Sequence, residues 1–203
     1  MKQLKIASIL ILLTSVFFSC ETDFVPHSKG YNRIELPEHK YIQLQEKHPY
    51  TFEHSVYATI SNHQSAFTEP HWIDIYYPNF DASVQLTYKV LGEKNDKNKQ
   101  REIVVNEMTN DARKLTSQHN VKAFSIEEIE LKNENGISSY VFELEGDVPS
   151  QFQFYVTDST NNFLRGALYF KTATKNDSLA PVIEFIKLDV VHMLNTLKWV
   201  KEN

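Results

Sequence analysis

An α+β fold, an antiparallel sheet covered by two helices, is predicted by three features of this 203-residue sequence. Several segments alternate apolar and polar residues with a period of two, as half-buried strands do. Two segments carry apolar residues at helical spacing instead. The order is strands, helix, strands, helix, with short turns between successive strands, which suits hairpins more than parallel crossovers.

Taken in order, the chain opens with a short basic head, Lys2 and Lys5, and an apolar run from Ile6 to Phe18. A bilayer-spanning helix needs roughly 20 apolar residues, so this shorter run fits the core of a secretory signal. Ser19 then precedes Cys20, the one cysteine of the chain. A small residue before a lone cysteine resembles the lipobox of bacterial lipoproteins, although Phe17 and Phe18 stand where the usual pattern has a Leu-type and a small residue. The resemblance implies cleavage between Ser19 and Cys20 and acylation of the Cys20 thiol. A thiolate is a good nucleophile for thioether formation. With no second cysteine, no intramolecular disulfide competes for it. One acyl chain holds only marginally, at about 0.8 kcal/mol per buried methylene, so two or three chains of the palmitate kind are needed for a lasting anchor. Glu21 and Asp23 follow the cysteine, as acidic residues do in some surface-export signals.

The expected organisation is a signal peptide over 1–19, a lipidated tether and extended segment over 20–48, and a single α+β domain over 49–203. The leader's charges are Lys2 and Lys5, so the mature chain carries 19 basic residues (21 less 2) against 26 acidic ones, a formal charge of −7. That balance argues against nucleic acid as a partner, since no basic stripe can follow a phosphate backbone. Thirteen Phe, ten Tyr and five Gly describe a chain that packs a core rather than a disordered one.

Residues 21–48 hold two prolines, with a third just after them at Pro49, and little periodicity. YTFEHSVYATI, from Tyr50, reads as a strand. Between Pro70 and Pro78, Ile73, Ile75 and Tyr77 fall on one face, with Trp72, Asp74 and Tyr76 on the other. After the tight connection PNFDA, Val84, Leu86, Tyr88 and Val90 alternate with Ser83, Gln85, Thr87 and Lys89. GEKNDKNKQRE is a charged break. The first helix follows, with Val104, Met108, Ala112 and Leu115 on one face. SIEEIELK turns at Asn135-Gly136, a hairpin signal, into SSYVFELEG. QFQFYVTD turns at Ser159 to Asn162 into FLRGALYFKT. The last helix has Asp177 or Ser178 as its cap, Pro181 in its first turn, and a stripe of Ile183, Ile186, Val190, Leu194 and Leu197. Lys198 and Lys201 sit near its C-terminal end, where cations are favoured. In element order this resembles the Mog1/PsbP-like sandwich.

Signs of chemistry are sparse. The eight histidines, His27, His39, His48, His54, His63, His71, His119 and His192, include no HExxH pair, and no cysteine can join them, so no metal site and no cofactor is expected. There is no nucleophile elbow, phosphate loop or dinucleotide fingerprint. Glu127 and Glu128 are neighbours in a strand and point to opposite sides, so they do not converge on a substrate. The expectation is a protein that is not an enzyme. Asp158-Ser159-Thr160 and Asp177-Ser178-Leu179 match a loose O-glycosylation pattern at Ser159 and Ser178.

The segments GYNRIELPEHKYIQL, HPYTFEHSVYA, EPHWIDIYYP and VQLTYK come in that order behind the lipoprotein signal. Together they resemble the GldD family of gliding-motility lipoproteins of the Bacteroidota, from about residue 26 to the C-terminus. The resemblance implies a membrane lipoprotein of the cell envelope that serves the gliding and type IX secretion machinery as an accessory. It carries over the lipid-bearing Cys20 and no catalytic residue. Trp72, Tyr76 and Tyr77 are candidate docking residues, since aromatics are enriched at binding hot spots, with core filling as the competing role. Tyr31, Arg33 and Tyr41 form a second candidate surface. A carrier of a small ligand or lipid, with an apolar cavity between sheet and helices, is the alternative function.

Overall fold

The computed structural model describes residues 34–91, 98–171 and 176–200. The chain divides into Met1–Arg33, outside those residues, and a compact unit Ile34–Asn203.

Its centre is a seven-stranded antiparallel sheet in the order β4-β5-β6-β10-β9-β8-β7. The strands are β4 (Thr59–Asn62), β5 (Ile73–Tyr77), β6 (Ala82–Val90), β7 (Ala123–Lys132), β8 (Ser138–Gly146), β9 (Phe152–Thr157) and β10 (Asn162–Phe170). Two short ladders lie beside it: β1 (Tyr41–Gln43) pairs with β3 (Glu53–Ser55), and β2 (Tyr50–Thr51) pairs with β11 (Lys198–Trp199). Among the described residues the α-helices are α1 (Asn98–Ser117) and α2 (Asn176–Thr196).

Period-two patterning places the core. In β5, Ile73, Ile75 and Tyr77 are buried, and in β6 so are Ala82, Val84, Leu86 and Tyr88. They meet Phe152, Phe154 and Val156 of β9, Leu164 and Leu168 of β10, and the stripe Ile183, Ile186, Val190 and Leu194 of α2. The opposite face is covered over β8, β9 and β10 by α1, whose Val105, Met108 and Ala112 pack with Phe142, Tyr155 and Phe163. At residue 166 a close approach requires glycine. Gly166 lies opposite Phe154, and a Cβ there would overlap the Phe154 ring. The missing side chain lets that ring lie flat across β10.

The turns follow their chemistry. Between β7 and β8, Gly136 takes φ 75°, a left-handed value that glycine adopts without steric cost. Asn133 anchors this turn. Its Oδ1 accepts from the N–H groups of Asn135 and Ile137, and its Nδ2 donates to the carbonyls of Leu194 and Leu197. One buried amide thus shapes a hairpin and satisfies two carbonyls at the end of α2, Leu194 in its last turn and Leu197 just beyond it, which have no partner within the helix.

Several expectations need correction. YTFEHSVYATI is three strands, because its pieces pair with three different partners, β11, β1 and β5. The N–H of Ala58 turns back to the Ser55 carbonyl between the last two. Helix α1 begins inside the charged break, at Asn98. Leu115 is 42% exposed while Thr116 is 2% exposed. A step of four from Ala112 points at the sheet, and there the Thr116 hydroxyl donates to the Ala112 carbonyl and meets Gln153. Val90 is 65% exposed, at the last pair of the β6–β10 ladder, where the core has ended. Pro181 lies inside α2 rather than in its first turn. Lys198 belongs to β11 and not to the helix end. Lys201 and the side chains of the candidate caps Asp177 and Ser178 lie outside the described residues.

Candidate functional site

The densest polar chemistry sits where residues 39–53 lie on α2. Phe185, Asp189, His192 and Thr196 are spaced by four, three and four residues, so they share one helical face. Each receives something from the N-terminal segment. The His39 ring stacks on Phe185 at 4.4 Å, and its Nδ1 lies 2.6 Å from Asp189 Oδ1. The Tyr41 ring stacks on His192 at 3.6 Å and 7°. His192 Nε2 lies 2.7 Å from Glu53 Oε2, and the Glu53 N–H donates to the Thr196 hydroxyl.

Asp189 is the centre of this clamp. Its side chain is 1% exposed. Besides His39, it accepts from the Tyr77 hydroxyl at 3.1 Å. A buried carboxylate needs such donors, because an isolated charge in the interior is far more costly than a paired one. The neighbours register the charge. Burial first, then Asp189, pushes the Tyr41 phenol up to about 12, and the same two causes raise Tyr77 further. Both phenols stay protonated and so remain donors.

The candidate docking residues separate. Tyr77 is a core residue that serves Asp189, which removes it from any surface. Trp72 is half-buried; its Nε1 donates to the Tyr88 carbonyl at 2.8 Å, and Lys89 lies 5.6 Å over its ring. Lys89 also pairs with Glu69. Tyr76, on the opposite face of β5 from Tyr77, donates to Asp81 Oδ1 at 2.9 Å and lines an open groove of about 540 Å³. Tyr41 is tied into the clamp. Tyr31, Arg33, Ser19 and Cys20 lie outside the described residues, as does His27.

His48, His54, His63 and His71 have local partners. His48 Nδ1 lies 3.1 Å from His71 Nδ1, and burial and His71 together lower the His48 pKa. His63 pairs with Asp74 at 2.7 Å. His54 reaches the Ser55 carbonyl. Burial, then Arg165, lowers His119. Among the described residues no three His, Cys, Asp or Glu side chains converge as metal ligands.

Ser159 is exposed, with φ 58°. Its motif partner Asp158 holds the turn together, since its Oδ1 accepts the N–H groups of Thr160, Asn161 and Asn162. Burial acts to raise the Asp158 pKa, but these donors outweigh it and hold it below the usual carboxylate value. The Ser178 side chain is outside the described residues.

Sequence reasoning singles out Tyr41 and misses His39, Asp189 and His192 as a set. The available signal is the polar helical face Asp189, His192 and Thr196 running beside the apolar stripe.

The family model for the gliding motility lipoprotein GldD matches residues 21–199. The chain belongs to that family. The matched range takes in every element of the compact unit, from β1 through β11, including both sides of the clamp. No curated protein matches the sequence. Among solved structures, the chain is similar to the solution structure of cyanobacterial PsbP (CyanoP) from Synechocystis. The TM-score is 0.44 at 7% identity, covering 83% of this chain and 98% of that one. The antiparallel sheet with a helix on each face is the α+β architecture expected from the element order.

Proposed function

We propose that this protein is a non-enzymatic accessory of the gliding motility and type IX secretion machinery, held on a membrane of the cell envelope through acylated Cys20. The observation that carries the reading is the family match over residues 21–199. The clamp supports it. From His39 onward the described chain is fastened to α2 by two histidine–carboxylate pairs and two stacked ring pairs. An anchored interaction module needs such a firmly held entry point. The partners are envelope proteins of the apparatus.

A crosslinking pull-down from native membranes tests this, with wild type and Cys20→Ala side by side. Recovery of gliding or secretion components with wild type, and their loss with Cys20→Ala, is the expected result. If neither protein recovers such components and both carry a co-purified lipid or small molecule, the accessory role is wrong and a carrier role replaces it.

A further inference from the structure

Helix α1 covers only part of its face of the sheet. Over β4, β5, β6 and the end of β10 that face is open, and the strand register arranges its side chains in rows. Thr59, Tyr76, Ser83 and Tyr169 lie directly opposite one another across four strands. Next to them Ser61, Asp74 and Gln85 form a second row. Both rows line the groove of about 540 Å³, which Asp81 and Lys171 also border. That volume is in the range of small-molecule sites. Tyr76 and Tyr169 stand two strands apart, so about 10 Å separates their backbones, with small Ser83 as the floor between them.

The chemistry of this groove selects its ligand. Tyr76 spends its hydroxyl on Asp81 Oδ1, and His63 takes Asp74 Oδ1. Among the described residues, Oδ2 of each carboxylate makes no hydrogen bond, so both remain acceptors. Gln85 offers an amide donor and acceptor, and Ser83 and Ser61 offer hydroxyls, while the Thr59 hydroxyl donates to the Tyr76 carbonyl. An acyl chain or other apolar ligand would strand these groups without partners, at a cost for each. Two carboxylates against one Lys171 disfavour an anion. The backbone groups of β5, β6 and β10 are taken up by pairing on both sides, so the floor has no main-chain partners for a peptide. A ligand here must be read by side chains alone, through aromatic rings that pack C–H faces and polar tips that meet hydroxyls.

We infer that this groove binds a short neutral saccharide, with Tyr76 and Tyr169 contacting the sugar faces and Asp74, Asp81 and Gln85 its hydroxyls. The site is independent of the accessory role, since binding is read on the purified protein without any partner.

The test is calorimetric titration of the full-length lipoprotein, in a detergent without a sugar headgroup, with chitotetraose and with cellotetraose. These share a β-1,4 backbone and differ in the acetamido group. The expected result is millimolar or tighter binding of at least one. Gln85→Ala and Tyr169→Ala should each weaken it by about fivefold or more without shifting the melting temperature. Binding of chitotetraose alone points to an amino-sugar glycan, and binding of both to a neutral glucan-type chain; either supports the site. No binding of either at about 10 mM overturns it. So does binding that both variants leave unchanged. Tetralysine bound in a Gln85-dependent way, with neither sugar bound, also overturns it and makes the groove a site for basic peptides.

Discussion

Replacing Asp189 with alanine probes the clamp that holds the N-terminal segment. The substitution removes the acceptor for His39 and for Tyr77. A hydrogen bond to a charged group contributes about 1.5–3 kcal/mol, and a buried hydroxyl left without a partner costs about 1–3 kcal/mol. Two terms reduce the loss. The His39 side chain is 32% exposed and can turn to water, and removing a buried charge relieves its desolvation. The expected net loss is about 3 kcal/mol. Tyr77→Phe alone loses about 1 kcal/mol, because Asp189 keeps its other donor. In the double variant the orphaned hydroxyl is gone, so the two losses do not add, and a coupling of about 1–2 kcal/mol is expected. Denaturant unfolding of the full-length protein in detergent, followed by Trp72 and Trp199 fluorescence, measures all three variants. Hydrogen exchange across 39–44 should rise in Asp189→Ala, since the segment loses its seat. A loss under about 1 kcal/mol, or strictly additive single losses, would refute the placement of Asp189 as the centre of the clamp.

Three further outcomes are expected. Burial first, against the opposing charge of Arg113, raises Tyr155 to about 12, and burial with Asp189 does the same for Tyr41. Their folded pKa lies above the ordinary tyrosine value of 10.0, so the stability they contribute is complete below pH 10 and is lost as pH rises through about 12. A tyrosinate absorbance titration should show a late fraction that appears together with loss of the native circular dichroism. Gly166→Ala should destabilise by about 1–3 kcal/mol through overpacking against Phe154, and Phe154→Leu in the same chain should recover part of it, both read as thermal midpoints. Asn133→Ala breaks four hydrogen bonds at one buried site and should cost about 2–4 kcal/mol, with faster amide exchange at Asn135 and Ile137. A variant as stable as wild type would show that water replaces the amide.

Much of the architecture is legible because it is written in local periods. SVQLTYKV alternates, and Val84, Leu86 and Tyr88 point into the core in that order. Asn135-Gly136 marks a hairpin through backbone preference alone, and the hairpin is there. The stripe on the last helix faces the sheet residue by residue. Errors fall where a period runs on after its burial has ended, as at Val90, or where a helical step leaves two candidates, as at Leu115 and Thr116. YTFEHSVYATI misleads for another reason. A strand propensity does not say with whom a strand pairs, and three partners cut this one into three.

The functional features divide in the same way. The sequence alone determined the long central strands, both helices, the core-facing stripe of α2, the acidic balance and the segments that mark the family, since each depends on neighbours a few residues apart. Tertiary structure decided the rest. Asp189 and His39 are 150 positions apart, and nothing near either residue announces the other. Tyr77 and Tyr76 are adjacent in sequence and reach opposite faces, so one serves a buried carboxylate while the other lines a groove. The groove exists because β6 pairs with the distant β10 and α1 covers only part of the face this creates. Those outcomes depend on which distant surfaces exclude water from each other, and a one-dimensional pattern carries no record of that choice.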